Sequence, residues 1–80
     1  MNHPFEKKYN VIHADIFSSN LLQPNMLNLI ENVRWRSDMP NRKGRYLKEI
    51  VEFIKDYPEV GIAYDLSHGH INREPLEEIL

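Results

Sequence analysis

The sequence reads Tyr46-Leu47-Lys48-Glu49-Ile50-Val51-Glu52-Phe53-Ile54-Lys55-Asp56-Tyr57 in its second half, and this stretch has the most regular hydrophobic pattern of the chain. Its apolar residues recur at steps of three and four, with charged residues mostly between them, which is typical of an amphipathic helix. Pro58 follows and favours an end to the helix. We therefore predict a helix over residues 40–57, with Ile50 and Phe53 buried.

A second helix is predicted upstream, over about residues 24–36. Pro24 suits a first helical turn, where its missing N–H group costs nothing. Apolar residues then follow at helical steps of three and four, namely Met26, Leu27, Leu29, Ile30 and Val33. We expect this helix to pack against the helix of residues 40–57.

Residues 59–66 allow two interpretations. Val60, Ile62, Tyr64 and Leu66 alternate with other residues, which is a strand pattern. Pro58 before the segment and Gly69 after it are also typical of a short helix. A strand needs a partner, and only residues 9–13 offer one, in a two-stranded pair that is marginal in water. We favour a helix and keep a short strand as the alternative.

The length of 80 residues predicts a single domain. The predicted fold class is mainly α, a small single-domain helical bundle over residues 11–80 behind a loosely ordered N-terminal arm, residues 1–10. The chain has no cysteine, which excludes disulfides and cysteine-ligated zinc. A core this small makes partner binding or self-association a natural second source of stability, so a protein partner or a homo-oligomer is expected.

Charge is strongly segregated along the chain, although the net charge is only −2. Residues 34–48 sum to +5 and residues 49–80 to −6. Aromatic residues lie among the basic ones, and arginine and tryptophan dominate binding hot spots. The plainer alternative is a solvated turn between two helices. The predicted partner-binding residues are Arg34, Trp35, Arg36, Arg42, Lys43, Arg45 and Tyr46.

These residues suit a protein partner better than nucleic acid. Phosphate contacts could use the same arginines. The acidic remainder would repel a phosphate backbone, and the sequence pI of about 6.0 is far from that of a typical nucleic-acid-binding domain. A nucleic-acid-binding regulator that uses the basic patch 34–48 is therefore the alternative function.

No motif indicates a reaction, so we expect no enzymatic activity, no catalytic residue and no cofactor. His68-Gly69-His70 invites a metal interpretation, with Asp65, His13 or Glu74 as further ligands. Two histidines two positions apart are weak evidence without a third fixed ligand. We therefore predict no metal at His68 and His70, and exposed histidines in a turn instead.

The central stretch Arg34-Trp35-Arg36-Ser37-Asp38-Met39-Pro40-Asn41-Arg42-Lys43-Gly44-Arg45-Tyr46, together with the chain length, resembles the small early proteins of T-even-type bacteriophages. Among these it is most similar to the lysis-inhibition accessory proteins, which are cytoplasmic antiholins. The resemblance implies a non-enzymatic protein that binds the cytoplasmic segment of a holin and delays lysis. It carries no functional residue over to this chain.

The sequence contains no apolar run near the roughly 20 residues that a membrane span requires. Its N-terminus has no apolar signal core. We expect a soluble protein without a membrane span in the cytoplasm, which is the host cell cytoplasm if a phage encodes it.

Overall fold

A computed structural model describes residues 8–75 and contains a three-stranded parallel sheet with two short helices. The strands lie in the order β1-β2-β3. Two 3-10 turns, Ala14–Ile16 and Ser19–Leu21, connect the first two strands. The elements in chain order are β1 (Tyr9–His13), β2 (Leu27–Glu31), α1 (Leu47–Ile54), β3 (Gly61–Ala63) and α2 (Leu66–Ile71).

The predicted mainly α bundle is therefore wrong. Residues 24–36 form no helix, and Leu27–Glu31 is instead the central strand of the sheet. Strands of a parallel sheet can carry apolar residues on both faces, so these residues need not alternate. In β2, Leu29 and Ile30 are adjacent and lie on opposite faces. Leu27, Leu29 and Ile30 therefore imitate the spacing of a helix although they belong to a strand.

Residues 59–66 contain strand β3, so the helix that we favoured there is wrong and the strand alternative holds. Its partner is β2, which was itself predicted as a helix. The helix predicted over residues 40–57 forms only over Leu47–Ile54, as α1, so its predicted bounds are wrong at both ends. The chain from Asn32 to Tyr46 is a long connection, in which Arg36 and Met39 form an isolated bridge.

One row of isoleucines forms the centre of the core. Ile12 and Ile30 are register partners, as are Ile30 and Ile62. Ile50 of α1 packs against this side of the sheet and has no exposed surface. Val60 completes the buried cluster. Since Phe53 is only partly buried, the expectation that both it and Ile50 lie in the core holds fully for Ile50 alone.

Three buried asparagines fix the connections between the elements. Asn28 accepts a hydrogen bond from Gln23 N–H and donates one to the Gln23 carbonyl. Asn32 joins the end of β2 to Asp65, and Asn72 joins the end of α2 to the connection between β2 and α1. Buried amides stabilise a fold when every polar group has a partner. These side chains therefore hold the ends of the elements in place.

Of the predicted N-terminal arm, residues 1–10, the structure describes residues 8–10, and Tyr9 and Asn10 lie in β1. Residues 76–80 at the C-terminal end of the predicted helical domain lie outside the described residues. Within residues 8–75, no helix has the length and apolar character to cross a membrane.

Candidate partner-binding surface

The seven predicted binding residues all lie in the connection between β2 and α1, but the structure divides them. Arg36 pairs with Asp38 through two hydrogen bonds, of 2.9 and 2.7 Å. Both side chains remain substantially exposed. This local pair closes the turn that contains the Arg36–Met39 bridge. The charge of Arg36 is therefore largely compensated within its own turn.

Arg42 is an internal residue. Its Nε donates to Asp15 Oδ2 at 2.8 Å, and its Nη1 donates to the Arg34 carbonyl at 3.1 Å. The Arg42 and Asp15 side chains are only 13% and 14% exposed. A buried ion pair is strongly destabilised when one partner is removed. Arg42 thus ties the connection to the end of β1, and a docking partner would find little of it to contact.

Trp35, Arg45 and Tyr46 converge with residues from the end of α2. The Arg45 guanidinium carbon lies 5.1 Å from the centre of the Tyr46 ring, in a cation–π contact. Trp35 is 42% exposed and Ile71 is 46% exposed. Together they border a cleft of about 420 Å³ that we call the Trp35 cleft; its lining residues are Trp35, Arg45, Tyr46, Ile71, Asn72 and Arg73.

The Asn72 side chain holds the backbone around this cleft through three hydrogen bonds. Its Oδ1 accepts a hydrogen bond from the Trp35 N–H at 2.6 Å. Its Nδ2 donates to the carbonyls of Val33 and Arg45, both at 2.9 Å. Because the buried Asn72 side chain bonds to the backbone of both Trp35 and Arg45, these two residues are fixed relative to each other. The cleft is in this respect preorganised for a ligand.

Arg73 lies at the rim of the cleft with a left-handed backbone, φ 59°. Glu74 N–H donates to the Gly69 carbonyl at 2.9 Å, and Arg73 N–H donates to the His70 carbonyl at 3.0 Å. This is the Schellman arrangement that ends helices, in which glycine usually occupies the left-handed position. An arginine there is strained, since its Cβ crowds the backbone.

Sequence reasoning missed Ile71, Asn72 and Arg73, which complete the cleft. They lie 25 to 27 positions beyond Tyr46 along the chain, and the charge pattern assigned their region to the acidic part of the protein. The signal that the sequence offered was Arg73, a basic residue two positions after Ile71 in that acidic part. Arg34 and Lys43 are exposed.

A second group of polar side chains lies at the carboxyl ends of the strands. Glu31, Asp65 and His68 offer ligand atoms that all lie within 4.8 Å of one another. His70, the other histidine of the predicted pair, is exposed and is not part of this group. Glu31 was not considered as a ligand from the sequence, because it was placed in a helix.

Comparison of the chain with protein-family models, with curated proteins and with solved structures finds no match.

Proposed function

We propose that the protein is a non-enzymatic interaction module that uses the Trp35 cleft to bind a short acidic segment of a partner protein. The observation that carries the proposal is that two exposed apolar side chains, Trp35 and Ile71, line the same cleft as two arginines, Arg45 and Arg73. The occupant that fits has one apolar anchor and flanking carboxylates.

The apolar part of this site supports affinity. Tryptophan and arginine are the residue types most enriched in interface hot spots, which gain their energy when water is excluded from them. Trp35 and Ile71 are each a little over half covered by the protein itself, and the remainder of their surface faces solvent. An apolar side chain of the partner that covers this surface would gain about 25 cal/mol for each Å² removed from water.

The charged part supports selectivity for acidic partners. Arg45 and Arg73 line the cleft, and Arg34 directly precedes Trp35 in the chain. Neither Arg36 nor Arg42 contributes free charge, because each is paired with an aspartate. The surface proposed here is therefore smaller than the predicted one, and it gains Ile71 and Arg73. Complementary charge speeds association and disfavours wrong partners.

A module that only binds can inhibit or regulate its partner by covering a surface of it. The resemblance to antiholins supplies one candidate, the cytoplasmic segment of a holin, and this narrower identity remains a prediction. The general proposal requires only that the partner has an acidic segment with one large apolar residue.

The test is a selection of random 12-residue peptides on immobilised protein. We expect the enriched peptides to contain aspartate or glutamate around one large apolar residue. The affinity of a selected peptide should fall at least tenfold for Trp35→Ala and for Arg45→Glu. Matched controls are Ile16→Ala and Lys55→Glu, which alter an exposed apolar and an exposed basic residue outside the cleft and should leave affinity unchanged.

Two results would contradict the proposal. Equal losses in the control variants would show binding without a defined site. The other is preferential binding of a dT12 oligonucleotide that Trp35→Ala weakens and that falls steeply with salt, since release of counterions from phosphates gives this dependence. That outcome would favour the nucleic-acid alternative.

A further inference from the structure

We infer that Glu31, Asp65 and His68 form a binding site for a divalent transition-metal ion at the carboxyl end of the sheet. The site is separate from the Trp35 cleft, and none of its ligands lines that cleft. The inference does not depend on the proposed function.

The parallel sheet brings the three ligands together. His13 and Glu31 are register partners at the last positions of β1 and β2, and Glu31 is the register partner of Ala63 at the end of β3. The carboxyl ends of parallel strands meet at one edge of a sheet, where ligands of open α/β folds bind. Asp65 follows β3 by two residues, and His68 lies one turn further, in α2.

The distances suit one ion. The ligand atoms of Glu31, Asp65 and His68 all lie within 4.8 Å of one another. Nitrogen and oxygen ligands bind zinc at about 2.0–2.2 Å, so two ligand atoms on one tetrahedral ion lie about 3.3–3.6 Å apart. Binding therefore requires side-chain rotations that bring the ligand atoms closer by up to about 1.5 Å. The side chains of all three residues are between a quarter and a third exposed, which leaves a path for the ion.

The surroundings of His68 prepare it as a ligand. Its Nδ1 lies 2.8 Å from the Asn32 carbonyl oxygen, which can only accept a hydrogen bond, so Nδ1 carries the proton. In the neutral imidazole this leaves the lone pair on Nε2. Nε2 faces Asp65 Oδ2 at 3.6 Å. A hydrogen bond from the other ring nitrogen to a backbone carbonyl is the usual support of a metal-binding histidine.

Asp65 is prepared in a similar way. Its Oδ1 accepts the His68 backbone N–H at 3.0 Å, which leaves Oδ2 available. The buried Asn32 side chain holds the Asp65 backbone through two hydrogen bonds. His13 Nε2 lies 3.4 Å from Glu31 Oε1, so His13 orients Glu31. Asn32 and His13, which are not among the three ligands, thus hold Asp65 and Glu31 in position.

The ligand set indicates the class of metal. One imidazole nitrogen and two carboxylates suit zinc or manganese better than calcium or magnesium, which prefer oxygen ligands alone. Two carboxylates balance the charge of a divalent ion. Three protein ligands leave a coordination position for water.

The test is isothermal titration of the full-length protein with ZnCl2, alongside the d–d spectrum of the Co²⁺ form. We expect one Zn²⁺ per chain and a tetrahedral Co²⁺ spectrum. His68→Gln and Glu31→Gln should each weaken Zn²⁺ binding at least tenfold. His70→Gln is the matched control, since His70 is an exposed histidine of the same helix, and it should bind Zn²⁺ as the wild type does.

Circular dichroism in the absence of metal shows whether each variant keeps its fold. If His68→Gln does not fold, Glu31→Gln alone tests the loss of a ligand. Equal weakening in His70→Gln, or unchanged Zn²⁺ binding in both ligand variants, would overturn the site. Absence of Zn²⁺ binding by the wild type would do the same, and would leave His68 and Asp65 as an ordinary ion pair.

Discussion

Asn32 and the backbone of Asp65 exchange two hydrogen bonds across the carboxyl ends of β2 and β3. Asp65 N–H donates to Asn32 Oδ1 at 2.6 Å, and Asn32 Nδ2 donates to the Asp65 carbonyl at 3.1 Å. The two residues are 33 positions apart in sequence, and the Asn32 side chain has no exposed surface. This pair closes the sheet at the edge where the Glu31, Asp65 and His68 side chains meet.

Asn32→Ala should lower the free energy of unfolding by about 2–4 kcal/mol, because it removes a fully buried side chain and leaves the partly buried N–H and carbonyl of Asp65 without these partners. Chemical denaturation measures the change. Asn41→Ala, at an exposed asparagine, should cost less than about 0.5 kcal/mol. A similar loss in both variants would mean that the Asn32–Asp65 hydrogen bonds contribute nothing specific.

Ile50→Ala should destabilise the protein by about 2–5 kcal/mol, since it opens a cavity between α1 and the sheet. Val51→Ala is the control on the same helix, because Val51 is 51% exposed. We expect Phe53→Ala to fall between the two, as Phe53 is partly buried. Thermal melts followed by circular dichroism would rank the three variants, and any other order would contradict this packing of α1.

Gly44→Ala should destabilise the fold by more than about 1 kcal/mol. Gly44 has a φ of 85°, which residues with a Cβ rarely adopt. An added Cβ would also lie 2.9 Å from the Ala14 carbonyl carbon. Ser37→Ala, an exposed position in the same connection, is the control for denaturant unfolding. Equal midpoints for the two variants would show that the Gly44 backbone can relax.

Arg73→Gly should separate stability from binding. Glycine relieves the left-handed backbone at this position, so the free energy of unfolding should stay the same or rise by up to about 1 kcal/mol. The affinity for an acidic peptide selected on the Trp35 cleft should fall, because one of its two arginines is lost. Denaturation and peptide titration of the same preparation measure both. Unchanged affinity would remove Arg73 from the proposed surface.

Tyr64 should make stability fall at high pH. Burial, with the hydrogen bond and negative charge of Glu74, raises the pKa of Tyr64 far above its ordinary value. Tyr64 in the unfolded chain ionises near pH 10, whereas the folded protein keeps the proton. The stability that this phenol contributes is therefore fully present below about pH 10 and is lost as the pH rises towards the folded pKa.

Denaturation of the wild type and of Tyr64→Phe between pH 8 and pH 11 measures this effect. The stability difference between the two proteins should shrink above pH 10. Tyr9→Phe is the control for the loss of a phenol at an exposed position, since Tyr9 is 63% exposed. A constant difference for Tyr64→Phe would contradict the raised pKa.

The sequence predicted α1 because its apolar residues lie on one side of a helix and its charged residues on the other. The same hydrophobic spacing gave a wrong prediction at β2, where Leu27, Leu29 and Ile30 fit a helical pattern although they lie in a strand of five residues. That one error caused the next. Once the central strand was lost, residues 9–13 were the only visible partner for β3, in a pair too marginal to favour, and the alternating pattern was set aside.

The site was predictable only where it is local in sequence. Charge clustering pointed to Trp35 and Arg45, which do line the cleft. It also included Arg42, because a residue count cannot show that Asp15 pairs with it 27 positions away. The third ligand Glu31 was missed for the same reason. Its relation to His68 exists only through the register of the sheet.

The all-parallel sheet also determines how the protein reaches its native state. Neither strand pair within residues 8–75 is a hairpin, so each pairing must first close a long loop: Asn10 meets Asn28 across 18 positions, and Asn32 meets Asp65 across 33. Closing such a loop costs chain entropy before the strands form any stabilising contact. We therefore expect the protein to fold more slowly than a helical bundle of equal length. The edge that carries Glu31, Asp65 and His68 is completed only when the longer loop closes. A nascent or partly folded chain therefore lacks this edge.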